Sequence, residues 1–200
     1  MILVIDTATA ACSVALIGDG QVLAERHEVV GRGHAERLVP MIQELLEDQR
    51  ASSILVDCGP GSFTGVRVGL AAAQGLAIGW HVPVTGYSSL ALIAACAKAE
   101  HEVAIALHGG HGQLFVQSYG YNPVEPLDEL RSLLPADAAA AIKPARVMGS
   151  AAEMLVSLRG YGEAREGEIR ASGALRLPNA LKSLPPKAIY GRAPDAKPMQ

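Results

Sequence analysis

An excess of positive charge is the first thing this 200-residue chain lacks: 17 Lys and Arg stand against 20 Asp and Glu, a formal net charge of −3. Binding a nucleic-acid backbone draws on surplus cations that neutralise phosphates, so tight independent binding to RNA or DNA is not expected. Cysteine is scarce as well. Cys12, Cys58 and Cys96 are odd in number, far apart and set among Ala, Val and Leu. That is the setting of buried reduced thiols rather than a disulfide framework, and it points to a reducing cytosol. Long hydrophobic runs are missing too: the longest weakly polar stretch, Val68 to Trp80, is interrupted by Gln74 and falls short of the roughly 20 apolar residues a membrane span needs. Met1-Ile2-Leu3-Val4-Ile5-Asp6 carries no basic residue ahead of an apolar run and closes on an acid, which reads as a core strand rather than a signal peptide. The expectation is a soluble, cytoplasmic protein with no membrane contact.

Standard catalytic patterns are also missing. The histidines stand at 27, 34, 81, 101, 108 and 111, and no two are four apart, so none pair on one helix face as metal ligands. His34-Ala35-Glu36 imitates the His-x-Glu of zinc deaminases, but the Pro-Cys-x-x-Cys that completes that site does not occur. His108-Gly109-Gly110-His111 reads as a glycine turn between strands. Gly59-Pro60-Gly61-Ser62-Phe63-Thr64-Gly65 ends without the Gly-Lys-Ser/Thr of a phosphate loop and breaks the Gly-x-Ser-x-Gly of a nucleophile elbow. What remains is a turn at a strand end with amides at a helix N-terminus, able to hold an anion weakly. Asp6, Thr7, Gly61, Ser62 and Thr64 are therefore the candidate anion or nucleotide contacts, although Asp6 is equally suited to capping its own turn. No metal ligands and no cofactor are expected.

What is present is a core-forming chain, half of it hydrophobic. Segments of strand and helix period alternate over the first hundred residues, which reads as α/β. Strands are expected at Ile2–Asp6, Cys12–Ile17 and Gln21–Glu28, the last two joined as a hairpin across Gly18-Asp19-Gly20. A helix over Ala35–Gln49, ended or kinked by Pro40, precedes a strand at Ser53–Asp57. A second helix follows the glycine loop to about Gly79, then a strand at Pro83–Gly86 and a helix at Ser88–Lys98. Strands restart at Val103–His108 and Gln113–Tyr119, and Ala- and Pro-rich helical segments follow with a strand near Arg146–Gly149. The chain divides near Glu100–Val103 into a first lobe, 1–100, and a smaller second lobe, 101–200, whose tail has the option of packing back on the first. Three strands, a helix, a strand, a helix and a strand match the first lobe of the ribonuclease H-like and actin-like architecture.

Three segments resemble the TsaB (YeaZ) family: Ile2–Thr9; Arg32-Gly33-His34 leading into Leu38-Val39-Pro40; and Gly59-Pro60-Gly61-Ser62-Phe63-Thr64-Gly65-Val66-Arg67-Val68-Gly69. The last is the specific one, and Tyr190–Pro198 resembles the tails of many members. The resemblance implies a two-lobed actin-like fold and a non-catalytic subunit that pairs with its paralogue TsaD. TsaD holds the metal and transfers threonylcarbamoyl to the tRNA adenosine next to the anticodon; the ATPase TsaE joins the pair, and TsaC supplies the adenylate. It also implies a homodimer when alone and tRNA contact only through the complex. Two departures stand out: Leu107–His111 replaces an Asp-Ala-Arg-type segment, and the interval Leu46–Ser53 is short.

The helix after the glycine loop has only Arg67 and Gln74 as strongly polar residues, seven apart on one stripe, and a helix apolar nearly all round needs covering on more than its core side. Ala71, Gly75 and Gly79 recur every four residues, a ridge that admits another helix closely. With Val68 and Ala72, and with Leu38, Met41, Ile42 and Leu45 of the preceding helix, they form the expected partner surface, a four-helix contact by the resemblance. The alternatives are an actin-like phosphotransferase or glycoprotease-type hydrolase, and a stand-alone homodimeric binding protein.

Overall fold

In the computed structural model, residues 1–191 are described apart from 48, 98, 100 and 168. Strands β1 (Ile2–Asp6), β2 (Ala11–Gly18) and β3 (Gln21–Val29) form an antiparallel meander, and β4 (Ser53–Asp57) and β5 (Val84–Tyr87) add in parallel on the other side of β1, giving the order β3-β2-β1-β4-β5. A second sheet is built from β6 (Val103–His108), β7 (Leu114–Gly120), β8 (Glu125–Pro126), β9 (Arg131–Leu133), β10 (Arg146–Met148) and β11 (Glu163–Arg165). The order is β11-β10-β6-β7-β8, with β9 also paired to β7. This is the α/β, two-lobed actin-like architecture that the element order led us to expect.

Among the described residues five α-helices cover the sheets: α1 (His34–Leu46), α2 (Phe63–Trp80), α3 (Ser89–Cys96), α4 (Pro135–Ala141) and α5 (Ala152–Arg159). Residues 89–95 of α3 are all buried, and the helix sits in one core with Val4, Leu55 and Tyr87 of the first sheet and Val103 and Ile105 of the second. Its uniformly apolar sequence is that of a helix enclosed on all sides. A second core joins α1 and α2 to the opposite face of the first sheet through Leu38, Met41, Ile42, Val66, Leu70 and Ala73 against Leu3, Ile5 and Val56.

Several boundaries differ from the sequence expectation for local reasons. Pro40 lies inside α1 without ending it; a proline deletes one backbone donor, and the buried Leu38, Met41, Ile42 and Leu45 hold the helix on either side of it. That helix stops at Leu46 rather than Gln49, and α3 ends at Cys96, the expected limit at 98 lying outside the described residues. The tail carries two 3₁₀ turns, Ala171–Arg176 and Asn179–Lys182, and returns to the first sheet: Ala171 N–H donates to Ser13 Oγ at 3.0 Å, and Gly86 and Leu184 exchange backbone hydrogen bonds of 2.7 and 3.0 Å. Residues 192–198 of the tail motif lie outside the described residues.

Candidate functional site

Parallel strands β1 and β4 end side by side, and both end in aspartate. The Asp6 and Asp57 carboxyls are 1% and 2% exposed and hydrogen-bond to each other. Tyr87 Oη donates to Asp6 Oδ2 at 2.7 Å, Ala8 N–H reaches Asp6 Oδ1 at 3.3 Å, Ser89 Oγ lies 2.7 and 2.8 Å from the two Asp57 oxygens, and Gly59 N–H donates to Asp57 Oδ1 at 2.6 Å. Burial raises both carboxyls, and the charge of Asp6 drives Asp57 well above the usual carboxylate range. Two carboxylates this close in a dry interior cannot both ionise, so the pair shares one proton. Burial and the two acids push the Tyr87 hydroxyl up as well. Asp6 does cap its turn as the sequence suggested; its partners Asp57 and Tyr87, and the Ser89 that bonds Asp57, were missed, because nothing in sequence spacing places residues so far apart in the chain beside it.

The glycine loop is fastened to the end of β1. Ser62 N–H donates to Ala8 O at 2.7 Å, Thr7 Oγ1 donates to Gly65 O at 2.7 Å, and Ser62 caps α2 by accepting from Gly65 N–H at 3.2 Å. A side chain at Gly61 or Gly65 would strike the carbonyls of Ala8 or Thr7, and a Cβ at Gly69 would sit 2.5 Å from Thr7 Oγ1. Asp6 and Thr7 are buried and spend their side chains on these internal contacts, and the raised acid pair beside them disfavours an added anion. Ser62 and Thr64 are exposed and Gly61 is half-buried.

Helix α1 is set by two devices. His34 Nε2 lies 2.9 Å from Thr9 O and 3.3 Å from Ala11 O, holding the helix start against the β1–β2 turn. Arg37 donates to Glu28 of β3 at 2.5 and 2.7 Å and to Glu44 at 2.7 and 3.2 Å. Leu38, Met41, Ile42 and Leu45 consequently face inward and are buried. Expected on a partner surface, Leu38, Met41 and Leu45 instead line this chain's own core, while Ile42 belongs to that core and to the groove between α1 and α2. What α1 presents outward is Ala35, Glu36, Val39, Gln43 and Glu44.

Helix α2 is divided differently. Gly65, Val66, Gly69, Leu70, Ala73 and Ala77 face the sheet, while Ala71, Gly75 and Gly79 are exposed and Val68 and Ala72 are half-buried. Ile78 on the same ridge is 77% exposed, and nothing lies within 4 Å of where a side chain at Gly75 or Gly79 would begin. Between α1 and α2 runs a groove of about 310 Å³ lined by Val39, Ile42, Gln43, Leu46, Leu76 and Trp80, among others. Trp80 and Ile78, which sequence reasoning left out of the surface, belong to it. In the second lobe, His108 and His111 are exposed on the β6–β7 connection, and among the described residues no three His, Cys, Asp or Glu side chains converge as a metal-binding group. No described helix is long and apolar enough to cross a membrane.

Residues 24–183 match the family model of TsaD, tRNA N6-adenosine threonylcarbamoyltransferase. The tRNA threonylcarbamoyladenosine biosynthesis protein TsaB of Escherichia coli is 41% identical over 126 residues, 59% of this chain and 54% of that protein. For TsaB of Bacillus subtilis the identity is 33% over 60% of this chain and 55% of the relative, so the chain spans about half the length of the curated TsaB proteins it matches. An uncharacterized protein of Mycobacterium tuberculosis is 32% identical over 99% of this chain and 94% of its own length. Among solved structures, YeaZ from Pseudomonas aeruginosa superposes with a TM-score of 0.75 at 30% identity, covering 88% of this chain and 89% of the other. A second Pseudomonas aeruginosa protein, described as similar to peptidase YeaZ, gives a TM-score of 0.79 at 29% identity over 96% and 99%.

Proposed function

Because the chain belongs to the TsaB (YeaZ) family, we propose that it is a non-catalytic support subunit for a TsaD-type paralogue in the making of threonylcarbamoyladenosine on tRNA. The observation that carries this reading is the outer face of α1 and α2: an exposed ridge of Ala71, Gly75, Ile78 and Gly79 beside an apolar groove walled by Val39, Leu76 and Trp80. A ridge of minimal side chains lets a second helix approach at the short end of the usual 8–10 Å spacing, and a paralogue of the same fold brings a matching helix pair. The same face serves a second copy when the chain is alone. A TsaE-type ATPase joins the assembly in the cytoplasm, and tRNA is contacted through the complex, in keeping with a net charge of −3. Residues 1–100 and 101–200 act in this reading as two lobes of one support.

The buried acid pair favours support over chemistry. Catalytic acids and bases must reach a substrate proton, whereas the Asp6 and Asp57 oxygens are enclosed and bonded to Tyr87, Ser89 and backbone amides. Ala71→Arg tests the reading: the exposed site leaves folding intact by circular dichroism, while association with TsaD and with a second copy is lost in sedimentation and reconstituted tRNA modification stops. A folded Ala71→Arg protein that still associates and supports modification refutes it.

A further inference from the structure

Helix α2 is gripped on one flank by the chain's own tail. Its two strongly polar residues both bind residues 184–191: Gln74 Nε2 donates to Pro186 O at 3.0 Å, and the Arg67 guanidinium donates to Tyr190 Oη at 3.2 and 3.3 Å. That guanidinium also lies 3.6 Å from the centre of the Phe63 ring and 5.9 Å from that of Tyr190. Along the same segment Gly86 and Leu184 form their two-way bridge, Cys58 Sγ donates to Pro185 O at 3.6 Å, and Ile189 N–H donates to Cys58 O at 2.8 Å. The segment ends against the second sheet, where a Cβ on Gly191 would stand 2.5 Å from the Phe115 ring and 3.5 Å from Ser132 Cβ.

At 3.6 residues per turn, Arg67 and Gln74 mark one edge of α2 and Leu76 and Trp80, beside α1, the other. Ala71, Gly75, Ile78 and Gly79 lie between them. The tail thus walls one side of the exposed ridge, crosses the carboxyl end of β4 and reaches β7. We infer that residues 184–191 are a strap whose seating fixes the docking flank of α2 and ties the two lobes together, so that docking responds to whether the strap is closed. The docking half of this inference rests on the reading above; the closure half does not.

Hydrogen exchange on the full-length chain, without any partner, separates the two. A strap that opens as a unit releases Gly86 N–H and Ile189 N–H together, although the first is bonded to Leu184 at the start of the segment and the second lies near its end. Tyr190→Ala removes the ring beside Phe63 and Arg67 and the hydroxyl acceptor and is expected to speed exchange at both by about tenfold. Tyr190→Phe, which keeps the ring, is expected to fall between. Association with a second copy, measured by sedimentation, is expected to weaken in the same order while circular dichroism is unchanged. Faster exchange at Ile189 alone, with Gly86 as in the unaltered chain, overturns the strap. Joint release of both amides with undiminished association also overturns the coupling to docking, and leaves the docking reading to stand on Ala71→Arg. If Ala71→Arg fails to disrupt association while both amides respond, the docking reading falls and the strap stands as a tie between lobes.

Discussion

Asp57→Asn converts the buried acid pair into a permanent copy of its protonated form. The amide keeps an oxygen for Gly59 N–H and supplies a donor toward Asp6, the role the shared proton plays in the unaltered pair. The sign of the effect follows from the raised carboxyls. In the unfolded chain both groups release their protons near the ordinary value of 3.8, whereas the folded pair retains one. The stability this gives is complete below the unfolded value and is lost as pH rises toward the point where the folded pair lets go. Across that window the folded state holds one proton more, so unfolding free energy falls by about 1.4 kcal/mol per pH unit. The substituted amide has no proton to lose. The variant is therefore expected to gain on the unaltered chain by about that amount for each unit of rising pH, most plainly between about pH 4 and the folded pair's own titration. Urea unfolding at a series of pH values measures it. Tyr87, which donates to Asp6, is held well above its ordinary value by burial and the acids and titrates outside this window. Parallel stability curves for the two chains would refute the shared proton.

Leu38→Ala is expected to cost about 2–5 kcal/mol in urea unfolding, the usual result of emptying a buried leucine site, because Leu38 is 1% exposed. Its exposed neighbour Val39 is expected to tolerate alanine within about 0.5 kcal/mol; lost association with unchanged stability in Leu38→Ala would put that leucine back on a partner face. Burial pushes the Cys12 and Cys58 thiols up to about 11, so at neutral pH a thiol reagent is expected to label the half-buried Cys96 first, with one label per native chain by mass spectrometry.

The parts of the fold that were legible are those whose signals are local. The hairpin turn at Gly18-Asp19-Gly20, the short apolar runs of β1, β2 and β4, and the cap at Ser62 all write their structure into neighbouring residues. Short edge strands such as β8, β9 and β11, two or three residues long, carry no usable period and are defined only by their partners. The candidate surface was half legible for a related reason. Helical spacing correctly grouped Leu38, Met41, Ile42 and Leu45 on one face of α1, but a periodic apolar face has the same pattern whether it meets its own sheet or a foreign helix. Only the packed position of α1, set by His34 and Arg37, decides between them.

The glycines of α2 make the same distinction from within one helix. A glycine inside a helix costs roughly 0.5–1 kcal/mol relative to alanine, so each needs a reason. Gly65 and Gly69 have one in the chain itself: any side chain there would run into Thr7, and the close approach of α2 to β1 is what seals the loop over the acid pair. Gly75 and Gly79 have none, since the space around them is open. They also stand on the exposed ridge between the strap and the groove, beside Ala71, where an ordinary surface helix would carry charge. A small-residue ridge that the fold neither requires nor fills is accounted for by a neighbour that must come equally close, as β1 does at Gly65 and Gly69. On the proposed docking reading the two ends of α2 obey one rule, close approach of a neighbour, with the neighbour of the first half in this chain and that of the second half outside it.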